Sequence, residues 1–236
     1  MKIGIMQPYF FPYIGYFSLI KNTDKFIIFD TPQFIRHGWI ERNRILKQDG
    51  NWQYIAVPLM KHSQTTAIRD IVINNKENWK NKILAQLIHY KKKAPYYYKT
   101  IKLLNEIFEF ETDSITDLNT HVLKKVCEHL EIDFNYEIFS RMNLQIEEVN
   151  APDEWALNIC KALGNIDEYW NPEGGTEFFD RTKYEKAGIK LYFQKMNIQP
   201  YLQGDSVKET GLSIIDVLMF NSKEEILEMM NNYELI

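Results

Sequence analysis

Cysteine is scarce in this chain. Cys127 and Cys160 are its only two, too few for a disulfide framework and in keeping with a reduced cytoplasm. Metal-binding patterns are missing as well. His121, Cys127 and His129 fall on one predicted helix, but no CxxC or HExxH spacing occurs, so helix packing is the reading for them and no metal ligands are expected. Long hydrophobic runs are absent too. The opening run Ile3 to Met6 is too short for the hydrophobic region of a signal peptide, and nothing approaches the length of a transmembrane helix. Charge is nearly balanced: 32 acidic against 28 basic residues leave a formal charge of −4, with no global electrostatic case for binding DNA or RNA. Repeats, Gly/Ser linkers and low-complexity tails are also lacking. With 236 residues and 45% hydrophobic side chains, the expectation is one folded domain, 1–236, with a sizeable core.

The informative stretch is Met1 to Ile45. Lys2 to Met6 and Lys25 to Phe29 are short β-rich runs. Between them Ile14, Phe17, Leu19 and Ile20 recur at helical spacing, after a loop that holds Pro8, Pro12 and several aromatics. Strand, loop, helix, strand suits a right-handed crossover between parallel strands. The loop Gln7 to Tyr13 then lies at the carboxyl end of the first strand, the edge that ligands favour in open α/β sheets. Gln7 offers a donor and an acceptor there, and Asp30 a carboxylate at the matching end of the second strand.

Further along, Trp52 to Pro58 and Arg69 to Ile73 read as strands that could pair across the loop KHSQTT. Helices are predicted over Glu77 to Tyr90, Tyr98 to Phe108 and Thr116 to Leu130, the last capped by Asp113 or Ser114; together they make a helical insertion, 76–130. Strand character resumes at Phe134 to Ser140. A helix over Pro152 to Leu163, a strand at Asp167 to Trp170, a helix over Phe178 to Lys186 and the strand IKLYFQ follow, and two helices, Leu212 to Phe220 and Lys223 to Asn232, close the chain. This alternation predicts an α/β fold with a mostly parallel sheet flanked by helices. Gln7, Asp30, Arg141 and the turn Asn171 to Gly175 then all fall near strand carboxyl ends.

The words QPYFFPYIGYF, a strand ending in FD and a tryptophan before ERNRI resemble the amino terminus of the WbqC-like bacterial proteins. The resemblance runs nearly end to end, through NPEGGTEFF, GIKLYFQ, PYLQ and LSIIDVLMFN. It implies an enzyme encoded with O-antigen or capsule genes, described as a glycine or aminoacyl transferase. A more distant resemblance is to nucleotidyltransferases with a His-x-Gly-His word after the first strand. Here that word is Tyr13, Ile14, Gly15, Tyr16, which keeps the glycine and replaces both histidines. A Rossmann-like scaffold is implied, and adenylyl transfer is not.

The candidate residues follow from these readings. In the first loop Pro8, Tyr9, Tyr13, Gly15 and Tyr16 form a stiff aromatic wall suited to a ring-shaped ligand, against the plainer reading of a surface loop packed on the core. In TPQFIRHGWIERNRI, Arg42 and Asn43, with Gln33 and Trp39, are chosen to hold phosphate and stack a base or sugar; the plainer reading is a solvated face. Arg141 joins them. Asn171, Gly174 and Gly175 let a ligand approach backbone amides, or only serve a tight turn. Asp30 and His37 are rival general bases, and Gln7 an oxyanion donor. The basic aromatic run HYKKKAPYYYK reads as a solvated turn, and Ser213 with Asp216 as a local polar pair.

The leading expectation is a cytoplasmic enzyme that transfers an aminoacyl or acyl group from an activated donor to a nucleotide-linked amino sugar, with an acyl carrier protein as a candidate partner. Two alternatives stand beside it: a nucleotide-dependent transferase or ligase, and a noncatalytic sugar-nucleotide or carrier-binding protein. The cofactor is undefined by the sequence.

Overall fold

A computed structural model describes residues 1–205 and 209–236. The chain opens with β1 (Lys2–Met6), α1 (Ile14–Lys21) and β2 (Lys25–Ile28), where the two apolar runs and the helical spacing between them predict them. An antiparallel ribbon follows, β3 (Arg42–Leu46) against β4 (Trp52–Ala56), with Arg42 opposite Ala56 and Arg44 opposite Tyr54. Next come α2 (Trp79–Gln86), α3 (Tyr97–Phe108), α4 (Ile115–Leu130) and β5 (Tyr136–Ile138). The remaining elements are α5 (Glu154–Leu163), β6 (Glu168–Pro172), α6 (Arg181–Lys186), β7 (Lys190–Met196), α7 (Ile214–Phe220), α8 (Lys223–Met230) and β8 (Tyr233–Leu235).

The main sheet has the order β5-β2-β1-β6-β7-β8, parallel throughout except for β7 with β8. Counted only within that sheet, the order is 3-2-1-4-5-6, the doubly wound arrangement in which strand order reverses between the first strand and the fourth. Here the reversal falls between β1 and β6. Side-chain alternation divides the apolar residues between the two faces. Ile3, Ile5, Ile27, Tyr169 and Phe193 pack with α5 and α6 through Leu157, Ile159 and Tyr184. Phe26, Ile28 and Trp170 join the larger core built on α1, α4, α7 and α8, which also holds the inner residues of the ribbon and of α2 and α3.

Caps set several helix starts. Ser114 accepts from the Asp117 amide at the start of α4, and Ser222 with Glu225 forms a reciprocal capping box on α8. Some boundaries differ from the sequence expectation. Arg69 to Ile73 is not a strand: Ile68–Asp70 is a 3-10 turn, and Val72 and Ile73 make only isolated bridges, to Ser114 and Leu59. The partner of β4 is instead RNRIL, a strand whose arginines and asparagine hide its β character. The helix predicted from Phe178 begins only at Arg181, where Asp180 accepts from the Thr182 amide. The helix predicted to Tyr90 ends at Gln86 and passes into a 3-10 turn, Ile88–Lys92.

Candidate functional site

A cleft of about 860 Å³ opens at the carboxyl ends of β1 and β6, the reversal point of the sheet. Its floor is the end of β1 with Gln7. One wall carries Phe29 and Trp155, whose ring centres are 5.5 Å apart, and another carries Asn171, Pro172, Gly174, Gly175, Phe178 and Phe179. The first loop contributes Tyr9, Pro12 and Tyr13. The ribbon contributes Trp39, Asn43 and Arg44, and Gly211 completes the rim. Among the described lining residues, Arg44 is the one charged side chain.

The loop is held open from behind. Asn43 is buried and donates from Nδ2 to the Phe10 and Phe11 carbonyls, at 3.1 and 3.0 Å. Asn119 of α4 donates to the Pro8 carbonyl at 2.8 Å, and Ser213 Oγ donates to the Phe11 carbonyl at 2.7 Å. These bonds satisfy buried carbonyls and fix Phe11 at φ 41°, a left-handed conformation unfavourable for a bulky residue. Tyr13 ends the loop at the start of α1. Its ring lies across Gly15, where a Cβ would come within 2.4 Å of it, so Gly15 serves the wall by making room and is itself buried. Burial raises the phenol pKa of Tyr9; for Tyr13 burial leads and the neighbouring Tyr9 and Glu173 add to it. Both are therefore neutral hydroxyls near pH 7.

The remaining predicted residues divide into those that reach the cleft and those that do not. Gln7, Trp39, Asn171, Gly174 and Gly175 line it. Asn171 donates to the Tyr169 hydroxyl at 2.6 Å. Gly175 is required for space and not for its dihedral angles: a Cβ there would sit 2.5 Å from Asn171 Oδ1 and 3.0 Å from the Phe179 ring, while one at Gly174 would meet nothing within 4 Å. Neither glycine has positive φ, and their 3-10 turn, Glu173–Gly175, stands apart from the start of α6.

Pro8 is buried below the loop under α4. Tyr16 is fully buried in the core and donates its hydroxyl to the Gln7 carbonyl at 2.8 Å, so it supports the floor from beneath. Asp30, 1% exposed, spends its carboxylate on the backbone and hydroxyl of Ser140, at 3.0 and 2.7 Å. It pins β2 to the turn after β5 and is absent from the cleft wall. His37 lies outside the cleft with its side chain 78% exposed, its ring beside Glu41. Gln33 is exposed on the surface, and Arg141 pairs with Asp117 at 2.6 Å. Arg42 is absent from the cleft lining: it donates to the His37 carbonyl at 2.5 Å and stacks 3.9 Å above the Tyr54 ring.

Arg44, two residues along the same strand, takes the place in the cleft expected for Arg42. Arg42 and Arg44 share one face of β3, and nothing local in RNRIL tells which of the two guanidinium groups reaches the cleft. Phe29, Trp155 and Gly211 were missed as well; the signal for Phe29 was its place at the end of the second strand, whereas α5 and the Gly211 segment are distant in sequence. Among the described residues no three His, Cys, Asp or Glu converge to hold a metal ion, and no helix is long and apolar enough to cross a membrane. Burial raises both thiols, Cys160 to about 12 and Cys127 further, which leaves neither as a thiolate nucleophile near neutral pH.

Sheet order and cleft position together define a class: a Rossmann-like α/β protein with a cleft at its topological switch point. Within that class the chain belongs to the WbqC-like protein family, whose model matches residues 7–228. It is similar to the uncharacterized protein Rv1507c of Mycobacterium tuberculosis, with 27% identity over 228 residues covering 93% of each chain. No solved structure matches it significantly.

Proposed function

We propose that this chain is a transferase of surface-polysaccharide assembly that binds an anionic, nucleotide-linked amino sugar in the cleft and accepts an aminoacyl or acyl group onto it. The observation that carries this reading is the composition of the cleft. Its aromatic walls suit rings, its amides at Gln7 and Asn171 suit polar substituents, and its single lining charge among the described residues is positive. The family resemblance supports the polysaccharide setting, and nucleotide sugars with thioester donors belong to the cytoplasm.

In such a transfer the neutral amine attacks the acyl carbon, the carbonyl oxygen takes up negative charge, and the tetrahedral adduct collapses with loss of the thiolate or alkoxide, which accepts the amine proton. The Gln7 side-chain amide, unpaired among the described residues, and the second N–H of Asn171 are the donors available to that oxygen. Asp30 and His37 play no part in this version. Catalysis then rests on holding amine and acyl carbon together.

One observation favours a second reading. No carboxylate or histidine lines the cleft among the described residues, which suits a noncatalytic protein that holds a sugar nucleotide for another enzyme. The nucleotide-dependent ligase is weaker, because Tyr16 stands at the second histidine position of the motif and is buried.

The test is incubation of purified protein with nucleotide amino sugars and aminoacyl or acyl thioesters, read by mass spectrometry. A sugar nucleotide heavier by one acyl group supports the transferase. Binding that raises the melting temperature without any product supports the holding protein, and pyrophosphate release from ATP supports the ligase.

A further inference from the structure

The setting of Arg44 is more specific than a lone positive charge. Its guanidinium carbon lies 5.6 Å from the centre of the Trp39 ring and 5.3 Å from that of Trp52, within cation–π range of both. Among the described residues no carboxylate pairs with it. One terminal nitrogen reaches the Gly211 carbonyl only at 3.5 Å, and Nε is buried without a partner among the described residues. Arg42 shares the unpaired Nε but is bonded to the His37 carbonyl and is absent from the cleft lining. A clamped guanidinium with unused N–H groups, beside a cleft, is suited to a bidentate oxyanion supplied by a ligand. The chain as a whole carries −4, so attraction for an anion must be local.

Phosphate fits better than carboxylate. Trp39 is 41% exposed and lies on the cleft wall next to Arg44, which offers a base a stacking face beside the cation. Trp52 lies outside the cleft lining and backs the guanidinium. A cleft of about 860 Å³ also exceeds what an amino acid would fill.

We infer that Arg44 is the phosphate anchor of the cleft: it binds the diphosphate of a nucleoside diphosphate group whose base stacks on Trp39, leaving the distal part of the ligand to Gln7 and Asn171. This rests on the proposed reading of the cleft and names the part of the ligand it selects.

Tryptophan fluorescence titration with UDP, uridine and inorganic pyrophosphate tests it, with Arg44→Gln, Arg44→Lys and Trp39→Phe compared by circular dichroism for intact folding. UDP is expected to bind wild type at least roughly tenfold more tightly than uridine, the scale of a charge-assisted bidentate contact. Pyrophosphate competes with it. Arg44→Gln loses roughly that factor and most of the salt dependence, Arg44→Lys recovers part, and Trp39→Phe reduces the signal and the UDP affinity. Equal UDP affinity for wild type and folded Arg44→Gln, or equal affinity of wild type for uridine and UDP, overturns the anchor while leaving the cleft reading standing. Failure of wild type to bind UDP, pyrophosphate and nucleotide amino sugars overturns both.

Discussion

Asn43→Ala is the perturbation whose consequence can be followed furthest. The side chain, 4% exposed, donates to the carbonyls of Phe10 and Phe11 and accepts from the Arg44 amide at 2.8 Å. Phe11 keeps a second donor in Ser213, so the Phe10 carbonyl is the one left without its side-chain partner. Two buried hydrogen bonds at about 1 kcal/mol each, plus desolvation of one orphaned carbonyl, sum to about 3 kcal/mol. At about 2–4 °C per kcal/mol for a chain of this size, the melting temperature should fall by about 6–12 °C. The loop also carries Tyr9, Pro12 and Tyr13 into the cleft, so ligand affinity should fall with it. Asn43→Asp is the sharper control: it keeps an acceptor for Arg44 but sets a carboxylate against two carbonyls, and is expected to be no more stable than Asn43→Ala. Calorimetric melting with parallel urea titration reads both. An Asn43→Ala protein melting within about 2 °C of wild type would refute the claim that this side chain clamps the loop.

Gly175→Ala should destabilise the chain by about 1–3 kcal/mol and displace Asn171, because the new methyl meets Oδ1 and the Phe179 ring. Gly174→Ala, with nothing near it, should melt within about 0.5 kcal/mol of wild type, and the reverse order in thermal melts would contradict the geometry. Asp216 accepts from Tyr90, Tyr201 and Gln203 at 2.6, 2.6 and 2.7 Å, and burial raises its pKa despite those bonds. The folded state then holds the proton to higher pH than the unfolded chain, so this group costs nothing below about pH 4 and stability is lost as pH rises through the raised value. The wild-type minus Asp216→Asn stability difference should therefore decline with rising pH across that window; a flat or rising difference in urea titrations would sink the assignment. The two buried thiols, Cys127 and Cys160, should resist a disulfide reagent in the native protein and react only on unfolding; prompt native labelling of either would show an opening that the packing does not contain.

The first βαβ unit was legible almost to the residue because its signals are local. Two β-rich runs and a helical period between them leave little choice, and the parallel pairing brings Gln7 to the cleft. What failed depended on partners remote in sequence. RNRIL has poor strand propensity and becomes β3 because β4 pairs with it. Asp30 reads as a candidate base from its place at a strand end, and the Ser140 that donates to its carboxylate lies 110 residues away. Ser213 and Asp216 looked like a local pair, yet Ser213 Oγ serves Phe11 and Asp216 ties Tyr90 of one segment to Tyr201 and Gln203 of another. β8, three residues long, carried no pattern and exists by pairing with β7.

The most direct measurement is a crystal structure of the protein with a UDP-linked amino sugar. The account predicts the ligand at the carboxyl ends of β1 and β6, with its diphosphate on Arg44 and its sugar between Gln7 and Asn171. A ligand seated on another face, or one lying in the cleft with its phosphates turned away from Arg44, would contradict it.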